Sequence, residues 1–285
     1  MRPYTKNNGY CPAARAHLAS PPPLPAIAGY RGRPGAPPVK HYALIPAAGR
    51  GERLGAAIAK QYLPVNGQPL LLHTVHALLS DARIERVFIV LAPDDTGFAS
   101  SGCAAALAAD SSPAGSTPAD STRADSSRVQ TLACGGDTRA QSVTRALQAL
   151  AARVDALDWI LVHDAARPCL PRASLARLID TLCDHPVGGL LALPVADTLK
   201  RGDAHGVVQS TQPREGLWSA QTPQMFRHGA LLAALLAAGS GVTDEAQAIE
   251  LAGAQPQLVH GDPRNLKVTW PGDLELAGRL LEKPQ

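Results

Sequence analysis

A glycine-rich loop with basic residues follows the first apolar segment of the chain. The segment YALIPAA at 42–48 runs into GRGERLG, and Lys60 stands shortly after it. Small residues let a backbone approach a ligand closely, and successive N–H groups can cradle phosphate oxygens. Because Arg50, Arg53 and Lys60 are all basic, the loop suits a triphosphate. A dinucleotide loop fits less well, since the spacing is G-x-G-x-x-x-G and no acidic residue ends the next apolar segment at 86–92.

In the segment WILVHDAARP at 159–168, an apolar strand ends at the carboxylate of Asp164 and runs into a turn. Asp164 is costly to bury there unless it meets a cation, and Arg167 follows three residues later. Two interpretations stay open. In the first, Asp164 and Arg167 form a structural ion pair within a turn. In the second, Asp164 binds Mg²⁺ beside bound phosphates.

The motif GGDTRAQSV at 135–143 also combines small and polar residues. Gly135 and Gly136 permit close approach of the backbone to a ligand. Asp137 either caps a helix that starts near Thr138 or reads a base edge together with Ser142.

Two further motifs lie towards the C-terminus. In VTDEAQAIE at 242–250, Thr243 is predicted to cap a helix with acidic residues in its first turn, mainly as a structural feature. In RNLKVT at 264–269, Lys267 is predicted to lie on a short strand.

Strands and helices alternate along the chain, which predicts an α/β fold with a mostly parallel sheet and helices on both faces. Ligands in such folds bind at the carboxyl ends of strands, where these motifs lie. Strands are predicted at 42–48, 86–92, 128–133, 159–168 and 188–195 and around QLVHG, and helices at 70–81, 138–151, 172–184, 228–238 and 271–281.

Composition excludes several classes of protein. The 285 residues are 45% hydrophobic and 18% charged, which argues against collagen-like, coiled-coil or wholly disordered chains. The net charge of +3 is not that of a nucleic-acid-binding protein. No apolar run reaches the roughly 18 residues of a membrane span. Five cysteines without a C-x-x-C pair favour a reducing compartment, so we expect a cytoplasmic protein.

Two segments differ from the rest of the chain. Residues 1–40 contain no acidic residue, six Lys or Arg and nine Pro, which predicts a disordered extension before a domain at 41–285. A plastid transit peptide is the alternative. Residues 97–128 consist mostly of Ser, Ala, Asp, Thr and Pro and are predicted to form a low-complexity inserted loop, with a helical turn at 103–109.

The motifs PAAGRGERLG with AKQY, GGDTRAQSV, HDAARP, PVADTLK, LWSAQTPQMF, TDEA and NLKVT resemble, in order, those of the 2-C-methyl-D-erythritol 4-phosphate cytidylyltransferase family. The resemblance covers about 42–281. It implies a Rossmann-like nucleotidyltransferase domain that uses Mg²⁺ and forms a homodimer. The implied reaction transfers CMP from CTP to 2-C-methyl-D-erythritol 4-phosphate in the non-mevalonate isoprenoid pathway, giving 4-diphosphocytidyl-2-C-methyl-D-erythritol and pyrophosphate.

The resemblance also implies roles for individual residues. Catalytic neutralisation of phosphate charge falls to Arg53, Lys60 and Lys267. Nucleotide contacts fall to Ala47, Ala48, Gly49, Gly136, Asp137 and Ser142. Contacts to the polyol phosphate fall to Asp164, which is also placed at the metal, and to Arg167, Thr198 and Arg214. The last two would reach the site from the partner subunit, and the stretch 195–213 would be a protruding β-arm exchanged in the dimer. The chain departs from the family at Arg264, where many relatives have an acidic residue, and Asp262 is the candidate replacement.

Three alternatives remain. A ribitol-5-phosphate cytidylyltransferase would share the fold and loop, but Ala165 and Ala166 within HDAARP favour methylerythritol phosphate. A non-catalytic nucleotide-binding protein would not need Arg53, Lys60, Asp164 and Lys267 together. A dehydrogenase would need an acidic residue for the ribose.

Overall fold

The computed structural model describes residues 38–49, 58–109 and 128–282. A seven-stranded sheet forms the centre, with the strand order β11-β7-β10-β6-β1-β4-β5. Its strands are β1 (His41–Pro46), β4 (Ile84–Val90), β5 (Val129–Leu132), β6 (Trp159–Val162), β7 (Gly188–Pro194), β10 (Trp218–Arg227) and β11 (Gln257–His260). Two short pairs lie outside this sheet, namely β2 (Pro64–Val65) with β3 (Gln68–Pro69), and β8 (Leu199–Gly202) with β9 (Val208–Gln212).

The central sheet is mostly parallel, as the sequence predicts. Strand β1 pairs in parallel with β4 and β6, β4 with β5, and β7 with β11. Strand β10 runs antiparallel to both of its neighbours, β6 and β7. The carboxyl ends of the parallel strands therefore meet at one edge of the sheet.

Helices cover both faces of the sheet. The longer helices are α1 (Leu70–Leu79), α4 (Arg139–Leu150), α5 (Arg172–Leu182), α6 (His228–Ala238) and α8 (Pro271–Leu281), and the shorter ones are α2 (Gly97–Ser100), α3 (Cys103–Ala109) and α7 (Glu245–Leu251). No helix in the described ranges is long and apolar enough to cross a membrane.

Side chains of β1 alternate between two hydrophobic layers. Ala43 and Ile45 pack with α1, α3 and α5, whereas Tyr42 and Leu44 pack with α4, α6 and α7. All four are buried, because successive residues of a strand point to opposite faces and both faces are covered. This explains why β1 is a continuous apolar run in the sequence.

The first part of the predicted loop at 97–128 is helical. Residues 97–109 contain α2 and α3, and Cys103 and Leu107 are buried in the layer beneath α1 and α5. The predicted helical turn at 103–109 is present, and burial of its Leu107 anchors it to the core. Residues 110–127 of the predicted insertion lie outside the described residues, as do residues 1–37 of the predicted extension.

Two local predictions near the C-terminus are wrong. Lys267 lies on an irregular segment and not on a strand. The Val268 N–H donates to the Ala166 carbonyl oxygen (2.8 Å), which ties this segment to the turn after β6. This single bond does not make the repeated backbone hydrogen bonds of a strand. The cap of α7 is Asp244, whose carboxylate accepts from the Gln247 N–H (2.9 Å). Thr243 precedes it and donates its own N–H to the Gln247 side chain (2.7 Å).

The segment predicted as an arm contains the hairpin of β8 and β9. Gly206 has a positive φ of 79° in its turn, a conformation that glycine adopts without steric cost. Val207 and Val208 at the tip are 62% and 59% exposed. Large exposed apolar side chains of this kind are typical of a contact surface, and dimerisation through the arm stays a prediction.

Candidate active site

A cavity of about 230 Å³ opens at the carboxyl edge of the sheet. It collects the motifs that follow β1, β5 and β6, together with Lys60 and Lys267. Its lining consists of Pro46, Ala47, Ala48, Gly49, Lys60, Gln61, Gly136, Asp137, Thr138, Arg139, Ser142, Asp164, Ala165, Ala166 and Lys267. Nine of the residues that the sequence predicts for the site are among these, namely Ala47, Ala48, Gly49, Lys60, Gly136, Asp137, Ser142, Asp164 and Lys267.

The loop after β1 is held from beneath by Gln61. Its Nε2 donates to the carbonyl oxygens of Ala47 (2.7 Å) and Gly49 (3.1 Å). Gln61 itself is buried in a short 3₁₀ turn, Lys60–Tyr62, which also presents Lys60 to the cavity. Gln61 is not among the site residues predicted from the sequence, although it stands directly after Lys60 in the AKQY motif.

The loop after β5 packs closely against the loop after β1. A Cβ atom at Gly135 would lie 2.8 Å from the Leu91 carbonyl oxygen and would collide with Ala48. Glycine at this position therefore lets the two loops meet at the floor of the cavity.

Ser142 and Thr138 organise the rest of this loop. Ser142 Oγ accepts from the Gly136 N–H (3.0 Å) and donates to the Thr138 carbonyl oxygen (2.9 Å). Thr138 caps α4 by accepting from the Gln141 N–H (3.1 Å). Of the two interpretations of Asp137, the capping one is therefore wrong. The Asp137 side chain is exposed and lines the cavity.

Asp164 is the buried centre of a charge cluster. Its Oδ1 accepts from Arg139 Nε (3.1 Å), and its Oδ2 lies 2.9 Å from Lys267 Nζ and 3.5 Å from Arg167 Nε. Asp164 is only 6% exposed. Burial alone would raise the pKa of this carboxyl, but Arg139, Lys267 and Arg167 outweigh it and hold the pKa well below its ordinary value. The carboxylate is therefore ionised in the folded protein.

A neutral histidine holds the backbone of the turn that bears Asp164. Thr222 Oγ1 accepts from the Asp164 N–H (3.0 Å) and donates to His163 Nδ1 (2.8 Å). His163 Nε2 donates to the Arg167 carbonyl oxygen (3.1 Å), which assigns the proton to Nε2. Burial lowers the pKa of His163 to about 4, so the ring is neutral near pH 7.

Three of the remaining predicted residues, Arg167, Thr198 and Arg214, do not line the cavity. Arg167 is buried and donates Nη1 to the Asn265 carbonyl oxygen (2.6 Å), so it supports the turn rather than lining the cavity. Thr198 and Arg214 are exposed beside the hairpin, where Arg214 donates to the Ala196 carbonyl oxygen. Arg53 lies outside the described residues.

Arg139 and Glu245 are not among the predicted site residues either, although they stand inside the motifs GGDTRAQSV and TDEA. Arg139 lines the cavity, and its Nη1 and Nη2 donate to Glu245 Oε1 (2.7 Å) and Oε2 (3.0 Å). Each motif contains one member of this pair, and no spacing within either motif reveals that they meet.

The donors in the cavity fit a cation that is bound chiefly by phosphates. Mg²⁺ in nucleotide sites takes one or two protein carboxylates and completes its shell with substrate phosphates and water, and Asp164 supplies one such carboxylate. Asp262 does not line the cavity and is engaged by Arg264 through Nε (3.0 Å) and Nη2 (2.8 Å). Within the described ranges, no group of three His, Cys, Asp or Glu side chains forms a metal cage.

The chain is similar to proteins of one known family. Residues 41–283 match the family model described as 2-C-methyl-D-erythritol 4-phosphate cytidylyltransferase. The chain is 52% identical over 249 residues to the protein of that name from Thiobacillus denitrificans, covering 86% of this chain and 99% of the relative. It is 51% identical over 242 residues to the one from Dechloromonas aromatica, covering 85% and 97%.

Solved structures agree with the sequence matches. A crystal structure of 4-diphosphocytidyl-2C-methyl-D-erythritol synthase superposes with a TM-score of 0.70 at 36% identity, covering 87% of this chain and 100% of the other. The 2-C-methyl-D-erythritol 4-phosphate cytidylyltransferase of Francisella tularensis gives a TM-score of 0.64 at 30% identity, covering 85% and 100%.

Proposed function

The chain belongs to the 2-C-methyl-D-erythritol 4-phosphate cytidylyltransferase family, and we propose that the cavity at the carboxyl edge of its sheet is where it transfers CMP from CTP to 2-C-methyl-D-erythritol 4-phosphate. One observation carries the assignment of the site. Lys60, Lys267 and Asp164 converge on the same cavity as the glycine-rich loops after β1 and β5.

The reaction needs charge neutralisation rather than a base. A phosphate oxygen of the polyol phosphate attacks the α-phosphorus of CTP, a new P–O bond forms, and the bond to pyrophosphate breaks. The attacking oxygen is already ionised, so no proton has to be removed from it. Both reactants and the leaving group are anionic, and catalysis therefore rests on positioning and electrostatic stabilisation.

The basic residues divide this task. Lys60 and Lys267 enter the cavity from different segments and neutralise the phosphates of CTP and of the leaving pyrophosphate. The backbone of 47–49 lies against the nucleotide, and Gly136, Asp137 and Ser142 receive the cytosine. Arg53 follows the same glycine-rich loop in the sequence and completes the basic set as part of the proposal.

Asp164 carries the metal part of the proposal. Cytidylyltransferases generally use a divalent cation, and we place Mg²⁺ between Asp164 and the substrate phosphates, where it would neutralise charge that develops on the phosphate oxygens. The cationic groups around Asp164 keep it ionised, which is the protonation state that such a ligand needs.

The arm and the dimer form a separate part of the proposal. Thr198 and Arg214 are exposed and do not line the cavity of their own chain, yet the family resemblance assigns them to the polyol phosphate. The exposed valines of the hairpin tip support a homodimer in which these residues serve the partner's cavity. A cytoplasmic location is supported by the four described cysteines, all of which are free thiols.

Product formation with each polyol phosphate tests the function. Purified protein with CTP and Mg²⁺ is given 2-C-methyl-D-erythritol 4-phosphate or ribitol 5-phosphate, and pyrophosphate release is followed together with the nucleotide product by mass spectrometry. We expect release with methylerythritol phosphate. Faster release with ribitol 5-phosphate would transfer the assignment to that substrate, and release with neither would overturn the catalytic function.

A further inference from the structure

Glu245 is a buried carboxylate near the site that the proposed mechanism does not use. It is the first residue of α7 and is only 1% exposed. Burial raises its pKa above the ordinary value, and the adjacent Arg139 opposes this rise. A carboxylate placed at such a cost of desolvation requires a close cationic partner.

Arg139 provides that partner through a bidentate contact. Its Nη1 and Nη2 donate to the two oxygens of Glu245 at 2.7 Å and 3.0 Å. Paired N–H donors matched to both carboxylate oxygens fix the plane of the guanidinium group. Arg139 is therefore held in one orientation from the side away from the cavity.

In that orientation Arg139 has one donor directed at Asp164. The contact runs from Nε to Oδ1 at 3.1 Å, while Oδ2 faces Lys267. A guanidinium group released from Glu245 could present two donors to Asp164 instead of one. Such a double contact would compete with a metal ion or a substrate group for the same oxygens.

The location of Arg139 connects the two halves of the cavity. It is the first residue of α4 and directly follows Thr138, which caps α4 at the end of the loop assigned to the base. Buried ion pairs are weak evidence for stability, because removal from water offsets most of their attraction. A role in orientation accounts for this geometry more directly.

We propose that Glu245 is a positioning residue that holds Arg139 so that it gives Asp164 a single hydrogen bond and leaves the carboxylate available to the polyol phosphate and its cation. This inference rests on the proposed function of the cavity.

A split between Michaelis constants tests the inference. Glu245→Gln keeps the shape of the side chain and removes its charge. We expect it to raise the KM for methylerythritol phosphate about tenfold or more, as for residues that orient a ligand-binding side chain. The KM for CTP should change less than about threefold, because Asp164 is assigned to the polyol phosphate. A uniform loss of folded protein would lower the apparent kcat and alter neither Michaelis constant.

Asp81→Asn is the matched control. Asp81 is also a buried carboxylate in a bidentate pair, and it accepts from Arg83 Nε (2.9 Å) and Nη2 (2.6 Å). It differs in its location, because it precedes β4 at the opposite edge of the sheet. Its replacement should alter the melting temperature and leave both Michaelis constants unchanged.

A double-mutant cycle tests whether Glu245 acts through Arg139. Arg139→Gln should also raise the KM for methylerythritol phosphate, and adding Glu245→Gln to it should raise this KM no further. Should Glu245→Gln fail to fold, Arg139→Lys serves instead, because it keeps the charge but cannot bridge both carboxylates, and it should show the same split.

Three results would overturn the inference. The first is a Glu245→Gln variant with the same kinetic constants as Asp81→Asn. The second is a double variant in which the two increases in the KM for methylerythritol phosphate multiply. The third is an Arg139→Lys variant with wild-type constants. In each case the wild-type protein still forms the cytidylyl product, so the proposed function stands. Wild-type protein that forms no product would overturn the proposed function and this inference with it.

Discussion

The Lys60 ammonium group donates a hydrogen bond to the Val268 carbonyl oxygen over 2.8 Å, although 208 residues separate the two in the chain. The contact ties the turn after the first glycine-rich loop to the segment that bears Lys267. Both lysines therefore enter the cavity from one connected structure, and their relative position depends on this long-range contact.

Replacing Lys60 with alanine should lower kcat by about a hundredfold or more, because an electrostatic partner of the transition state is lost. Steady-state kinetics with saturating CTP and methylerythritol phosphate measures the effect. Lys40→Ala is the control, since Lys40 is half exposed and pairs with Glu85 at the opposite edge of the sheet. A Lys60→Ala enzyme with a kcat within about twofold of wild type would contradict the catalytic assignment.

Replacing Ser142 with alanine should weaken the choice of base. The change leaves the Gly136 N–H without its acceptor, so the loop loses its defined shape. We expect kcat/KM for CTP to fall about tenfold and kcat/KM for UTP to fall less, because discrimination depends on paired polar groups. Thr144→Val is the control, since Thr144 donates only to Ala140 within α4. An unchanged ratio of the two values would reject the base-reading role.

Mixing two impaired variants tests the shared site, with activity measured at a methylerythritol phosphate concentration at which each variant alone is nearly inactive. Arg214→Ala should mainly raise the KM for methylerythritol phosphate and leave that for CTP unchanged. If Arg214 serves the partner's cavity, a heterodimer of Lys60→Ala and Arg214→Ala contains one site with both lesions and one with neither. Subunit exchange should therefore restore activity to one of the two sites in each mixed dimer.

The opposite result of mixing is equally clear. If Lys60 and Arg214 act within one chain, every site keeps a lesion and mixing restores nothing. Native mass spectrometry establishes that exchange has occurred. Failure of rescue after confirmed exchange would reject the shared site without affecting the assignment of the reaction.

Truncating Leu107 should destabilise the protein. This residue of α3 is buried beside α1 and α5, so Leu107→Ala should lower the free energy of unfolding by about 2 kcal/mol or more. Leu236→Ala on α6 is the control, because Leu236 is 55% exposed, and it should change the free energy by less than about 0.5 kcal/mol. Equal effects in urea unfolding would mean that α3 contributes nothing to the core.

Stability should fall between about pH 6.5 and about pH 4 in part through His41. Burial and the nearby Arg83 and Arg227 lower the pKa of His41 from 6.5 to about 4. The unfolded chain therefore binds a proton first as the pH falls, and the stabilisation present above pH 6.5 is lost towards pH 4. His41→Gln should reduce this loss by ~1 kcal/mol in urea unfolding. A variant with the wild-type pH dependence would contradict the cause.

Much of the fold follows from the sequence because its signals are local. The apolar run of β1 and the helical spacing of 70–81 each report burial within one element. Those patterns suffice to place the glycine-rich loops at one edge of the sheet. The antiparallel direction of β10 leaves no comparable trace, since the pattern of side chains along a strand reports which face is buried and not which way the strand runs.

The contacts within the site are harder to predict, because they join distant parts of the chain. Arg139 and Glu245 lie 106 residues apart, and only the packing of α7 beside α4 brings them together. The cap of α7 shifts from Thr243 to Asp244 because both residues favour that position, and tertiary contacts such as the bond from Gln224 to Asp244 (2.9 Å) decide between them.

Strand β10 enters the sheet at the edge where its neighbours β6 and β7 end, because it runs against both. Its exposed start, Trp218–Ala220, leads directly from the hairpin of β8 and β9. Insertions or deletions in that hairpin therefore shift no strand of the sheet and no residue around Asp164. The hairpin can therefore evolve under selection for its contact with a partner subunit, separately from the geometry of the cavity in its own chain.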